Sequence, residues 1–288
     1  MKRYYEFAGV KLEVFVPEQW SSEDERVMKA FRVDKLENAD RFQFEVVEEL
    51  APPYGELKAN QDGLKIYLQG NEQQRYIGSV RNGWDNAYIR VVHQDREHRV
   101  QVKAEECRGR IGIKTILKAM AAEHLVLDHD GVMFHAAFIV VDGKAILFTA
   151  PSETGKTTQA ELWKKYRDAE IINGDRTVIR LIDGNAYACG IPFAGSSRYC
   201  ENKTVPIEAI VYLGQAQETS IERLDYVNGF KRIWEGCTVN NWDQEDVRKA
   251  FDIVHRVVKK VPVYHLKCTP DESPVIALEK ILEKRKGH

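Results

Sequence analysis

Up to about residue 105 the chain alternates apolar and polar positions with a period of two. KLEVFV (11–16), FQFEVVEEL (42–50), LKIYLQG (64–70), YIRVVHQ (88–94) and HRVQVKAE (98–105) carry this rhythm. It is the pattern of strands with one buried face. Pro52-Pro53, Asn60-Gln61-Asp62-Gly63 and Asn82-Gly83 punctuate the strands as turns. From Arg110 to Asp128 the apolar spacing becomes helical, which predicts one linking helix. Beyond it, MFHAAFIVV (133–141) and KAILFTA (144–150) are apolar runs joined by Asp142-Gly143, a hairpin signal. TTQAELWKKY (157–166) reads as a helix with Trp163 in its core face, AEIINGD (169–175) as a short strand, and TVIRLIDGNAYACG (177–190) as a second hairpin. A core strand at 207–215, a helical stretch from Asn228 to Val257, a strand at 261–268 and a last helix from Pro274 complete the pattern. The expected fold is α/β of the α+β kind. A β-rich domain over 1–108 precedes a mixed-sheet domain over 109–288.

Composition narrows the class. Of 288 residues 43% are apolar, enough for a real core, and 42 basic side chains stand against 44 acidic ones. That balance lacks the basic footprint of a nucleic-acid binder. The five cysteines (107, 189, 200, 237, 268) are odd in number and form no C-x-x-C pair. This suits a reducing cytoplasm better than a disulfide framework or a zinc site. The amino terminus alternates rather than running apolar, and the most apolar region is interrupted by His135, Asp142 and Lys144. Neither a signal peptide nor a membrane span is expected.

The candidate chemistry sits between the second strand of the first hairpin and the helix after it. LFTAPSETGKTTQAELW (147–163) ends its loop in Gly155-Lys156-Thr157-Thr158, the closing half of a phosphate-binding G-x-x-x-x-G-K-[ST] loop. Ala150 stands where the opening glycine belongs. Ala150, Pro151, Ser152, Glu153, Thr154, Gly155, Lys156, Thr157 and Thr158 are the expected nucleotide contacts. Helix N–H groups and the positive dipole end would face the phosphates. Lys156 would reach the β- and γ-phosphates, and the Thr157 hydroxyl would ligate Mg²⁺. Asp175, after the apolar pair Ile171-Ile172, occupies the position of a magnesium-side carboxylate. Glu153 is expected to point outward.

These residues carry a family resemblance. HAAFIVVDGKAILFTAPSETGKTTQAELW followed by EIINGD resembles the catalytic domain of HPr kinase/phosphorylase and its relatives. These are P-loop kinases also related to phosphoenolpyruvate carboxykinases. PIEAIVYLGQ and VPVYHLKCTPDESPVIALEKIL are similar to kinase-like relatives encoded with peptide-modifying gene clusters, and the likeness spans about 130–285. The resemblance implies ATP and Mg²⁺ as cofactors, Lys156, Asp175 and His135 as catalytic residues, and Thr157 and Asp175 as metal ligands. Asp175 would serve as metal ligand or as base toward an acceptor hydroxyl, with His135 close to the phosphates. Only one acid follows the strand, as Gly174-Asp175, where the family has two adjacent acids. CGIPFAGSSRYCENK (189–203) replaces the family's glycine-rich acceptor segment; within it Arg198 and Lys203 are candidates for phosphate or substrate contact.

The expected activity is phosphoryl transfer from ATP to a hydroxyl: a serine of a peptide or small protein, or a small-molecule alcohol. The β-rich domain is a candidate substrate-binding module, and the sequence leaves room for a homo-oligomer. Two other readings stay open: a non-catalytic nucleotide-binding regulatory module, and a carboxykinase-type lyase.

Overall fold

The computed structural model describes residues 1–15, 25–61, 63–78, 86–106, 113–193, 195, 197 and 199–286. The chain divides into two compact units, Met1–Leu125 and Val126–His288. The first holds strands β1 (Lys2–Phe7), β2 (Val10–Phe15), β3 (Arg32–Val33), β4 (Asp40–Val47), β5 (Glu56–Gln61), β6 (Leu64–Gln69), β7 (Glu72–Gly78), β8 (Ala87–Gln94) and β9 (Glu97–Lys103). They form a sheet in the order β3-β1-β2-β4-β9-β8-β7-β6-β5. The β2–β4 and β4–β9 pairings are parallel. In β4 the side chains of Phe42 and Phe44 are buried while Arg41 and Gln43 are exposed, as the two-residue rhythm demands.

Two strands depart furthest from that rhythm. β5 is exposed along nearly its whole length, an edge strand with no apolar face to alternate. β7 places Gln74 and Arg75 in the interior, where both make hydrogen bonds, although Arg75 Nη2 has no partner among the described residues. Gln74 donates to the Tyr54 carbonyl at 3.0 Å, and Arg75 pairs with Glu123 at 2.7 Å. The helical stretch after the sheet is two elements, α2 (Ile113–Ala119) and α3 (Ala122–Leu127), after the short α1 (Glu25–Lys29). Ala121, at φ 55°, turns the chain between them, so the apolar periodicity continues across a break it does not reveal. The 82–83 turn signal and Cys107 fall outside the described residues.

The second unit holds strands β10 (Gly131–Phe134), β11 (Ala136–Val141), β12 (Lys144–Thr149), β13 (Glu170–Asn173), β14 (Thr177–Ile182), β15 (Asn185–Cys189), β16 (Thr204–Gln215), β17 (Ser220–Arg223), β18 (Cys237–Thr238) and β19 (Val263–Cys268). Its helices are α4 (Lys156–Arg167), α5 (Tyr226–Gly236), α6 (Gln244–Lys260) and α7 (Ser273–Lys286). The sheet runs β13-β11-β12-β16-β15-β14-β10-β18, and β19 joins β16 to β17. β12, β16 and β19 are mutually parallel neighbours, and each sheet face carries its own apolar cluster. Leu147 packs with Ile233 of α5 and with Val254 and Val257 of α6. Its neighbours Ile146 and Phe148 pack with Trp163 of α4 and Leu278 of α7. A strand buried on both faces reads as a continuous apolar run, which is how KAILFTA reads.

Both predicted hairpins form, with Asp142-Gly143 and Asp183-Gly184 all at positive φ, the signature of a type I′ turn. The expected run 133–141 is split at His135: β10 pairs with β14, whereas β11 pairs with β12 and β13. The expected helix from Asn228 to Val257 is likewise two helices. Gly236 ends α5 against the Phe134 ring, where a Cβ would lie 2.5 Å from Cε2. Asp243 then caps α6 by accepting hydrogen bonds from the N–H groups of Glu245 and Asp246. No helix among the described residues is long and apolar enough to cross a membrane.

Candidate functional site

The β12–α4 loop follows from its backbone angles. Glu153 lies at φ 65° and Gly155 at φ 108°. Left-handed residues at such points turn successive N–H groups toward one concavity, an arrangement that suits an anion. As N-cap, Gly155 brings no side-chain hydrogen bond to the first turn of α4, so the cap residue itself does not compete for the N–H groups a phosphate would use. A Cβ at Gly155 would meet nothing closer than Thr158, at 3.9 Å. The space beside the loop is therefore open. Ala150 needs no glycine freedom: it lies outside the left-handed region, and its methyl is buried against the α4–α7 cluster. Pro151, Ser152 and Glu153 are exposed.

Lys156 is buried at the start of α4, 7% exposed, and donates to the carbonyls of Ala150 at 3.0 Å and Pro151 at 3.2 Å. No carboxylate lies within ion-pair distance of it among the described residues. Burial pushes its ammonium below the ordinary lysine value, and the charge of Asp175 partly restores it. Thr157, the next residue, is exposed and donates its hydroxyl to the Gly174 carbonyl at 3.4 Å. The loop, the helix start and the end of β13 therefore converge.

Asp175 accepts a hydrogen bond from His135 Nε2 at 3.2 Å. That bond is the main reason its carboxyl is held below the usual range, with the charges of His135, Arg176 and Lys156 adding to it against desolvation. His135 is fixed at the junction of β10 and β11. Its N–H donates to the Gly236 carbonyl at 2.8 Å, and its carbonyl accepts from the Thr149 hydroxyl at 2.9 Å. The turn carrying Asp175 is set by the fully buried Asn173, whose Oδ1 accepts from the N–H groups of Asp175 (2.9 Å) and Arg176 (3.0 Å).

Lys156, Thr157, Asp175 and His135 are thus brought together. Lys203 is not: it pairs with Glu170, at the opposite end of β13 from Asn173 and Asp175. Arg198 lies outside the described residues. The sequence reading missed Asn173 and Arg176. Arg176 has its Nε 3.9 Å from Asp175 Oδ2, donates Nη1 to the Thr238 hydroxyl at 2.6 Å and lies over the Phe193 ring. Its adjacency to Asp175 was the available signal. Among the described residues no cluster of three or more His, Cys, Asp or Glu forms a ready-made metal site.

Fold and site define an α+β protein whose mixed sheet presents an uncapped helix start, a buried lysine and a histidine-held aspartate at one sheet end. The chain belongs to the ScmC family of SynChlorMet cassette proteins, whose profile matches residues 111–283. That membership agrees with the resemblance to kinase-like relatives encoded with peptide-modifying gene clusters. The chain is also similar in structure to the HPr(Ser) kinase/phosphatase from Coxiella burnetii. That likeness covers 54% of this chain and 93% of the other, at 11% sequence identity and a TM-score of 0.34. No curated protein matches the chain.

Proposed function

We propose that the protein is a kinase that transfers the γ-phosphoryl group of Mg-ATP to a hydroxyl, a serine of a peptide or small protein being the favoured acceptor. The observation that carries this reading is Lys156, a buried cation whose hydrogen-bond partners among the described residues are two carbonyls, at an uncapped helix start. A buried cation with no carboxylate in contact is costly, the more distant Asp175 offsets only part of that cost, and a polyphosphate supplies charge in direct contact. The open space at Gly155 and the donors around it fit a phosphate group.

Lys156 would exchange the Ala150 and Pro151 carbonyls for phosphate oxygens. Thr157 and Asp175 are the residues to hold Mg²⁺, which when bound neutralises phosphate charge. Asp175 is ionised at neutral pH, the state needed to accept a proton. A carboxylate this acidic is a weak base at rest; it orients the acceptor hydroxyl and takes the proton as the new phosphate ester forms. His135 donates Nε2–H to Oδ1, which fixes the carboxylate's direction.

Calorimetry of Mg-ATP binding, paired with mass spectrometry of serine peptides incubated with Mg-ATP, tests this. Lys156→Ala should lose nucleotide affinity. Asp175→Asn should retain affinity within a few-fold while transfer falls by roughly 10²–10⁴-fold. A parent chain that does not bind Mg-ATP overturns the proposal. Binding without transfer to any acceptor favours a regulatory nucleotide-binding module instead.

A further inference from the structure

The segment between β15 and β16 is tied down at both ends on the same strand end, Ile172-Asn173. On its incoming side, the Phe193 and Ile191 carbonyls accept from Asn173 Nδ2 at 2.6 and 3.4 Å. On its outgoing side, the Glu201 N–H donates to the Ile172 carbonyl at 3.1 Å, and Cys200 bridges to Asn173. The Cys200 thiol closes the base of the segment by donating to the Ile191 carbonyl at 3.2 Å. Between these ties, Gly195 and Ser197 lie against the residues that follow β13, Asp175 and Gly174.

Two glycines let it touch. A Cβ on Gly195, at φ 56°, would fall 2.7 Å from Asp175 Cβ and 2.8 Å from its Cγ, so only a bare backbone fits against the carboxylate. A Cβ on Gly174 would fall 2.3 Å from both Cβ and Oγ of Ser197, so the serine side chain occupies the space glycine leaves free. The same Gly174 accepts the Thr157 hydroxyl through its carbonyl. Ser197 and the Thr157 hydroxyl thus both reach Gly174, the residue before Asp175, and Gly195 of the same segment lies against the Asp175 carboxylate. A serine hydroxyl is held, half-buried, in the neighbourhood where an acceptor hydroxyl would have to stand.

We infer that Ser197 is an internal phosphoryl acceptor, a self-modification site carried by the segment that covers Asp175; this rests on the kinase reading above. Ser197 Oγ forms a bond to the γ-phosphorus of ATP as the bond from that phosphorus to the β–γ bridging oxygen breaks. ADP leaves with the electron pair, and the serine proton passes to the Asp175 carboxylate. The product is a phosphoserine whose two new negative charges crowd Asp175.

The test is to incubate the full chain with Mg-ATP, measure intact mass against time, and sequence the tryptic peptide 181–198, which carries Ser196 and Ser197 as its only serines. The expected result is one phosphoryl group on Ser197, gained at a rate per molecule that a tenfold dilution leaves unchanged. Ser197→Ala should leave the peptide unmodified, and Asp175→Asn should slow incorporation by roughly 10²-fold or more. Phosphate on Ser196 instead, or a rate that falls with dilution, overturns the inference. A chain that binds Mg-ATP by calorimetry but takes no phosphate at Ser197 overturns it too, and leaves the kinase reading standing. A chain that does not bind Mg-ATP overturns both.

Discussion

Gly155 shows how much of the site was legible at single positions. The motif marks it as the glycine before the lysine, and its φ of 108° is a conformation that side-chain-bearing residues rarely adopt. Because a Cβ there would meet nothing closer than 3.9 Å, the penalty for Gly155→Ala comes from backbone strain alone, about 1–3 kcal/mol. Urea unfolding should show that loss as a lower midpoint at unchanged slope, with Mg-ATP affinity falling as the methyl fills that open space. The alanine at 150 is the opposite case: the motif asks for glycine, but the backbone there is ordinary. Asp175 and His135 were likewise readable, one from its place after an apolar pair and the other through the family likeness. Asn173, which holds the Asp175 turn, was not, because a buried asparagine and an exposed one look alike in a sequence.

At the scale of elements, periodicity located apolar faces well and breaks poorly. The stretch from Asn228 to Val257 keeps helical spacing on both sides of an interruption that only tertiary contacts require: Gly236 against Phe134, and β18 against β10. The restart at Asp243 does carry a local signal, an aspartate before a charged first turn. Asp243 accepts from Glu245 N at 2.9 Å and from Asp246 N at 3.3 Å. Asp243→Ala should therefore cost about 1 kcal/mol, within the 0.5–2 range for cap removal, whereas Asp243→Asn should retain most of the stability. Equilibrium unfolding of both variants checks this.

At the scale of the whole molecule, the β-rich half was legible from its rhythm, but the groups buried inside it were not. His98 is one of them, and the half-buried His93 packs against it. The Nε2–H of His93 donates to the Ala119 carbonyl at 3.1 Å, which leaves Nδ1 to accept from His98 Nδ1 at 3.0 Å. Desolvation, followed by the charges of Arg75 and His98, holds His93 well below the ordinary histidine value, with His124 adding to the same effect. Asp40 faces the far side of His98, and Glu123 pairs with Arg75. His93 is thus neutral in the folded chain and binds its proton more readily when unfolded. Its contribution is present above about pH 6.5 and is lost as pH falls below that, by up to roughly 1.4 kcal/mol per unit. Hydrogen exchange of β8 and β9 amides at pH 5.5 and 7.5 should show the loss, and His93→Gln should flatten it.

β16 pairs with β15 through its first three residues, with β12 along one edge, and with β19 through its last six. During synthesis the loop-bearing strand β12 leaves the ribosome long before β16, its parallel neighbour, and longer still before β19. At roughly 5–20 residues per second, the nascent second unit waits several seconds with one edge of β12 unpartnered, its other edge held by β11. The first unit, complete by Leu125, has every strand of its sheet by then. The chain is therefore made in an order that finishes one unit early and leaves the other with an open strand edge until β16 arrives.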